Sequence, residues 1–141
     1  MKQITSVLLL LAVLAATSLV SSCDEPDGRW DKMKWIDHSG LNQENGTYLV
    51  PADGGEYTFE CKNYKAPWLS SIGVNGEYVY PNLASMDEFH SFTGEWFSVK
   101  CDGADVVISI DPLDESTATR NLSLTVTAGD IFDSFSFTQQ R

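Results

Sequence analysis

Alternation of apolar and polar residues dominates the chain from Thr47 onward. Tyr57, Phe59 and Cys61 share one parity, with Thr58 and Glu60 between them. A period of two sends successive side chains to opposite faces, so such a run reads as a strand with one buried face. The same pattern runs through Phe97, Val99 and Cys101, then Val106, Ile108 and Ile110, then Leu122, Leu124 and Val126, and last Phe135 and Phe137. These rows are the expected core, with Ser, Thr, Asn and Asp across the pleat facing water. Thr47-Tyr48-Leu49-Val50 reads as a further strand ended by Pro51, and Ala52-Asp53-Gly54-Gly55 as a turn. Asn75-Gly76, set between Ile72-Gly73-Val74 and residues 77–80, is the best short-range hairpin signal. Asp102-Gly103 and Gly129-Asp130 mark further turns.

Short strands with turns about every ten residues predict an all-β domain over residues 47–141, a sandwich of about seven or eight strands. Trp68 and Trp96 are expected to fill its centre. Residues 81–94 break the pattern. Ser85 is placed to cap one helical turn, with Asp87 and Glu88 near its positive end. A connection this long in a compact domain often carries function. Residues 23–46 hold Pro26, Gly28, Gly40 and Gly46 and little apolar periodicity, so they read as a tether. Trp30 and Trp35 are expected to pack against the domain edge and pin it.

The first 22 residues follow another rule. Met1-Lys2-Gln3 gives a short positive start, and an apolar run centred on residues 7–14 follows it. The run falls short of a membrane span and is diluted by Thr5, Ser6, Thr17 and Ser18. This is the three-part form of a secretory signal. Its end, Val20-Ser21-Ser22-Cys23, resembles the lipobox of bacterial lipoproteins. That resemblance implies cleavage before Cys23, acylation of its thiol and a partner in the lipid bilayer. Asp24-Glu25-Pro26-Asp27 resembles the acidic signal that sends Bacteroidetes lipoproteins to the outer surface, with a periplasm-facing position as the alternative.

Charge narrows the partners. Asp and Glu number 20 against 9 Lys and Arg, a net charge of −11. Phosphate backbones are bound mainly through Lys and Arg, so nucleic acid is not an expected partner. Repulsion from anionic head groups likewise makes covalent attachment the expected route to a membrane.

From Thr47 to Gln139 the chain resembles the BACON and BACON-like domains of Bacteroidetes surface proteins. The resemblance is carried by Leu49-Val50-Pro51-Ala52-Asp53-Gly54-Gly55-Glu56-Tyr57-Thr58-Phe59, by Trp96-Phe97-Ser98-Val99, by Arg120-Asn121-Leu122-Ser123-Leu124-Thr125-Val126 and by Phe135-Ser136-Phe137-Thr138-Gln139. It implies an immunoglobulin-like sandwich that binds carbohydrate or mucin, or that serves as a spacer. Where family members often carry Asn before the Arg, this chain has Asp111-Pro112-Leu113-Asp114-Glu115.

Candidate chemistry is sparse. Cys61 and Cys101 either pair as a disulfide in an oxidising compartment or stay buried as free thiols. His38 and His90 do not stand at ligand spacing, so neither a metal nor another cofactor is expected. The acidic turns match no calcium loop. No nucleophile elbow, zinc-protease helix or phosphate loop occurs in the sequence, so the expected class is not an enzyme. The aromatic group is the remaining clue. Tyr78 and Tyr80 on the hairpin, with Phe89, His90 and Phe92 after it, are the expected glycan platform, because sugar rings stack on aromatic faces. The alternative is a surface protein partner or a spacer role.

Overall fold

The computed structural model describes residues 30–141, so the signal and Cys23 lie outside the described residues. Eleven strands form two sheets: β1 (Trp35–Asp37), β2 (Asn42–Glu44), β3 (Thr47–Val50), β4 (Gly55–Cys61), β5 (Trp68–Val74), β6 (Glu77–Val79), β7 (Ser91–Thr93), β8 (Phe97–Asp102), β9 (Asp105–Ile110), β10 (Thr119–Thr127) and β11 (Phe132–Gln140). One sheet has the order β1-β4-β9-β8-β7 and the other β2-β3-β11-β10-β5-β6. Neighbours are antiparallel except β3, which runs parallel to β11. Two sheets face to face with this mixed edge make an immunoglobulin-like sandwich. The expected strand number matches the longer strands; β1, β2, β6 and β7 are three-residue additions at the sheet edges.

The alternation reads out as burial. Phe59, Leu69, Ile72, Val106, Ile108, Leu124 and Val126 are fully enclosed, and every expected core row faces inward. Phe59 is the hub of an aromatic cluster, 4.6 Å from Phe135 and 5.0 Å from Tyr48 between ring centroids. The tryptophans do not fill the centre: Trp68 and Trp96 are half-buried. Leu69 and Ile72 take that place because a bulge in the β5–β10 pairing puts both on the inner face, which leaves Trp68 at the strand end.

Residues 31–46 belong to the domain rather than to a tether. β1 pairs with β4, Met33 is buried, and β2 turns into β3 through Asn45-Gly46. Asn45 and Gly46 both adopt positive φ, 50° and 81°, as Asn75 and Gly76 do at 50° and 91°. That is the backbone of a type I′ hairpin, so the signal that marks the second hairpin is equally present at the first. Trp35 pins the strand as expected. Its indole Nε1 donates to Asp133 Oδ2 at 2.9 Å, and its ring meets Phe135 edge-on at 4.9 Å. Trp30 is 54% exposed and pins nothing.

The disulfide is not formed. Cys61 and Cys101 are free and buried. Both lie in one sheet on either side of β9, where Cys61 N–H donates to the Ala104 carbonyl and Cys101 stands opposite Val106. Two strand spacings, roughly 9.5 Å, and a two-residue offset along β9 separate them, beyond the ~7 Å limit for Cα atoms of a bridge.

Candidate functional site

The segment between β6 and β7 crosses from the edge of one sheet to the edge of the other. Its 3-10 turn, Met86–Phe89, follows Ser85 as expected, but the Ser85 side chain makes no capping bond. Glu88 takes over the ordering role: its Oε2 accepts from Asn82 N–H at 2.7 Å, while Asn82 Oδ1 accepts from Ala84 N–H at 2.9 Å. His90 then joins the five-stranded sheet, its carbonyl accepting from Cys101 N–H at 2.7 Å.

Two depressions flank this crossing. The larger, about 490 Å³, is bounded by Ala66, Trp68, Met86, Phe89 and His90. The smaller, about 200 Å³, lies between the sheet edges among Val74, Val79, Phe92, Trp96 and Phe97. Its floor is ordered by aromatic contacts. Phe92 stacks on Phe97 at 6.1 Å and Trp96 meets Phe97 edge-on at 5.1 Å.

The expected five-residue platform is therefore divided. Phe89 and His90 share the larger depression, Phe92 lines the smaller, and Tyr78 and Tyr80 line neither. Tyr78 stands opposite Gly73 on the outer face, and a side chain at Gly73 would meet Ser123 Oγ and the Tyr78 ring. Tyr78 and Tyr80 remain 66% and 68% exposed. Strand parity is the reason: Val79 pairs with buried Ile72 and borders the smaller depression while staying exposed, so Tyr78 takes the opposite face. Trp68 and Met86 are the site residues missed from sequence. The clue for Trp68 is its place directly after Pro67, at the start of a strand, where the side chain caps an edge more readily than it fills a centre.

A buried polar knot closes the opposite end. Arg120 Nε donates to Gln139 Oε1 at 2.7 Å, and its Nη2 donates to the carbonyls of Asp111 (2.5 Å) and Pro112 (3.1 Å). Gln139 Nε2 donates in turn to the Pro51 and Asp111 carbonyls at 3.0 Å each. The bonds from Arg120 to this loop go to backbone carbonyls. Burial lowers the Arg120 pKa from its ordinary value, against the raising effect of Asp111 and Asp114.

Burial also pushes the Cys101 thiol up to about 12, which holds it neutral and poorly nucleophilic. Asp114 is the opposite case. Its carboxylate accepts from Ser116 Oγ at 2.6 Å and from Thr117 Oγ1 at 3.0 Å, and these bonds lower its pKa. Among the described residues no cluster of His, Cys, Asp and Glu converges as a metal centre, and no helix is long and apolar enough to cross a membrane.

Among solved structures, the chain is similar to an NMR structure of a protein from Bacteroides thetaiotaomicron. The two are 37% identical with a TM-score of 0.67, over 82% of this chain and 92% of that one. The chain belongs to the same family as that protein. Likeness over nearly all of the relative places the whole sandwich, and not a fragment of it, in the family. No family model matches the chain, and no curated protein matches it.

Proposed function

We propose that the chain is an exported, surface-anchored, non-catalytic lipoprotein, acylated at Cys23, whose BACON-like sandwich binds carbohydrate. The observation that carries the binding role is the open depression of about 490 Å³ where Trp68, Phe89 and His90 meet. An indole and a phenyl face receive the apolar side of a sugar ring, and the imidazole supplies a polar contact for a hydroxyl. The site therefore moves from the hairpin tyrosines to Trp68 and Phe89. A glycan-array and mucin-binding screen of the mature chain tests the proposal. Trp68→Ala and Phe89→Ala should each lower the affinity for a hit at least tenfold, whereas Tyr78→Ala should leave it unchanged. Loss of binding in Tyr78→Ala with retention in Trp68→Ala would reject the depression as the site.

A second reading is favoured by one specific feature. β6 is a free sheet edge whose three residues, Glu77, Tyr78 and Val79, are all exposed. Such an edge accepts an extended segment of another protein by strand addition. A clean negative in the glycan screen, together with co-purification of a stable partner from detergent-solubilised membranes, would favour this reading.

A further inference from the structure

We infer that the end of the sandwich nearest the tether is a membrane-contact surface, seated in the interfacial layer of the bilayer through Leu83, Met86, Phe132 and Trp30. The inference rests on the reading of Cys23 as the acylated anchor.

The first support is where apolar surface is left exposed. Trp30 is 54% exposed, Leu83 85%, Met86 71% and Phe132 57%. Trp30 precedes the strap that enters beside the end of β4, and Phe132 opens β11, in register through Thr127 with Trp68. Met86 borders the depression that Trp68 and Ala66 form at the start of β5. These positions converge on one end of the sandwich. At the opposite end, loops 51–54 and 111–118 expose no large apolar side chain, and those exposed beside the Asn75-Gly76 turn are Tyr78 and Val79 of the β6 edge.

The second support is charge. Lys32, Lys34, Lys62, Lys65 and Lys100 are all exposed, and all lie at the tether end. Asn63 holds Lys32 and Lys34 there through their backbones, and Lys62 N–H donates to the Lys34 carbonyl at 2.8 Å. The opposite end carries Asp53, Glu56, Glu77, Glu95, Asp111, Asp114 and Glu115, with Arg120 buried and Arg141 as its exposed cation. The tether end also carries Asp31, Asp87, Glu88, Asp102, Asp105, Asp130 and Asp133, of which Asp102 pairs with Lys100 at 2.9 Å. The lysines of the described residues thus all lie on the face that approaches head groups, interspersed with its carboxylates, a mixture suited to a zwitterionic surface rather than an anionic one.

The third support is reach. The Tyr64 hydroxyl donates to the Asp31 carbonyl at 2.5 Å, and Asp31 stands eight residues after Cys23 in the sequence. Eight residues span at most about 28 Å when fully extended. That span bounds how far the Asp31 end of the sandwich stands from an acylated Cys23. Because Met86 borders the larger depression, that depression then opens at head-group height.

The experiment uses the mature acylated protein in phosphatidylcholine liposomes, with a nitroxide placed at Leu83→Cys or, as a control, at Asp53→Cys on the opposite end. Buried Cys61 and Cys101 do not react under native labelling, and intact mass checks this. The expected result is a several-fold rise in the ratio of oxygen to nickel-chelate accessibility at residue 83 on reconstitution, and none at residue 53. Flotation of the protein with liposomes while residue 83 stays in water would overturn the contact surface and leave the anchor standing. A mature chain whose mass shows no acyl group on Cys23 would overturn the anchor, and the contact surface with it.

Discussion

The Arg120 guanidinium carbon lies 4.2 Å from the centroid of the Trp96 ring. Arg120 is on β10 of the six-stranded sheet, and Trp96 leads into β8 of the five-stranded one, so the contact joins the sheets at the end away from the tether. Arg120 also donates to two carbonyls of the loop that links β9 to β10. One side chain thus fixes both sheets and their crossover. Its burial is affordable because every donor that the fold encloses has a partner: no buried side-chain polar atom among the described residues is left unbonded.

Arg120→Ala should therefore be strongly destabilising. It removes the stack on Trp96 and leaves Gln139 Oε1 buried without its donor, a loss of about 2–4 kcal/mol. Arg120→Lys should recover only part, since an ammonium cannot span Gln139 and the loop carbonyls together. Urea denaturation followed by tryptophan fluorescence measures both variants.

Trp35 ties the first strand to the last. Trp35→Phe keeps the edge contact with Phe135 but loses the bond to Asp133, and should cost about 1 kcal/mol. Trp35→Ala loses both, at about 2–3 kcal/mol. In either variant, amide exchange should quicken first in residues 31–37. Unchanged protection there would show that the strap is held elsewhere.

The thiols should be silent toward redox conditions. Reductant should leave the melting temperature unchanged, and alkylation should require unfolding. The Cys101 thiol is raised by burial from 9.0 to about 12, so its neutral form contributes stability that is complete below pH 9 and lost as pH rises toward 12. Tyr48, raised to about 12 by burial and by Asp37, acts with the same sign. Thermal melts across this range should show an alkaline decline that Cys101→Ala makes shallower.

Asp114 should titrate below an ordinary aspartate in a carbon-detected NMR titration, because Ser116 and Thr117 donate to its ionised form. Its contribution is present above the ordinary carboxylate value and lost as pH falls through the lowered one. Ser116→Ala, which removes the largest cause, should return the titration toward the ordinary value.

The strand rows at Tyr57–Phe59–Cys61, Phe97–Val99–Cys101 and Leu122–Leu124–Val126 were legible because parity is a local property. Each side chain's face follows from its neighbours along the same strand. β1 and β2 were not legible as strands, since three residues carry too little pattern. The edge to which each strand adds is chosen elsewhere in the chain. The candidate site shows the same division. Phe89 and His90 are legible because they lie in a connection longer than a compact domain usually allows. Trp68, Met86 and the outward turn of Tyr78 depended on a bulge in β5 and on its pairing with β6.

By itself, then, the sequence determined the all-β class, the inward rows, the Asn75-Gly76 hairpin and the acidic surface. These follow from side-chain period, turn chemistry and composition, which act over a few residues or over the whole chain at once. Only the tertiary structure decided that Cys61 and Cys101 are held apart by β9, that the aromatics divide between two depressions, and that Arg120 joins the sheets. Each of these depends on which strands become neighbours, and that choice is made by burial summed over both sheets rather than by any one segment.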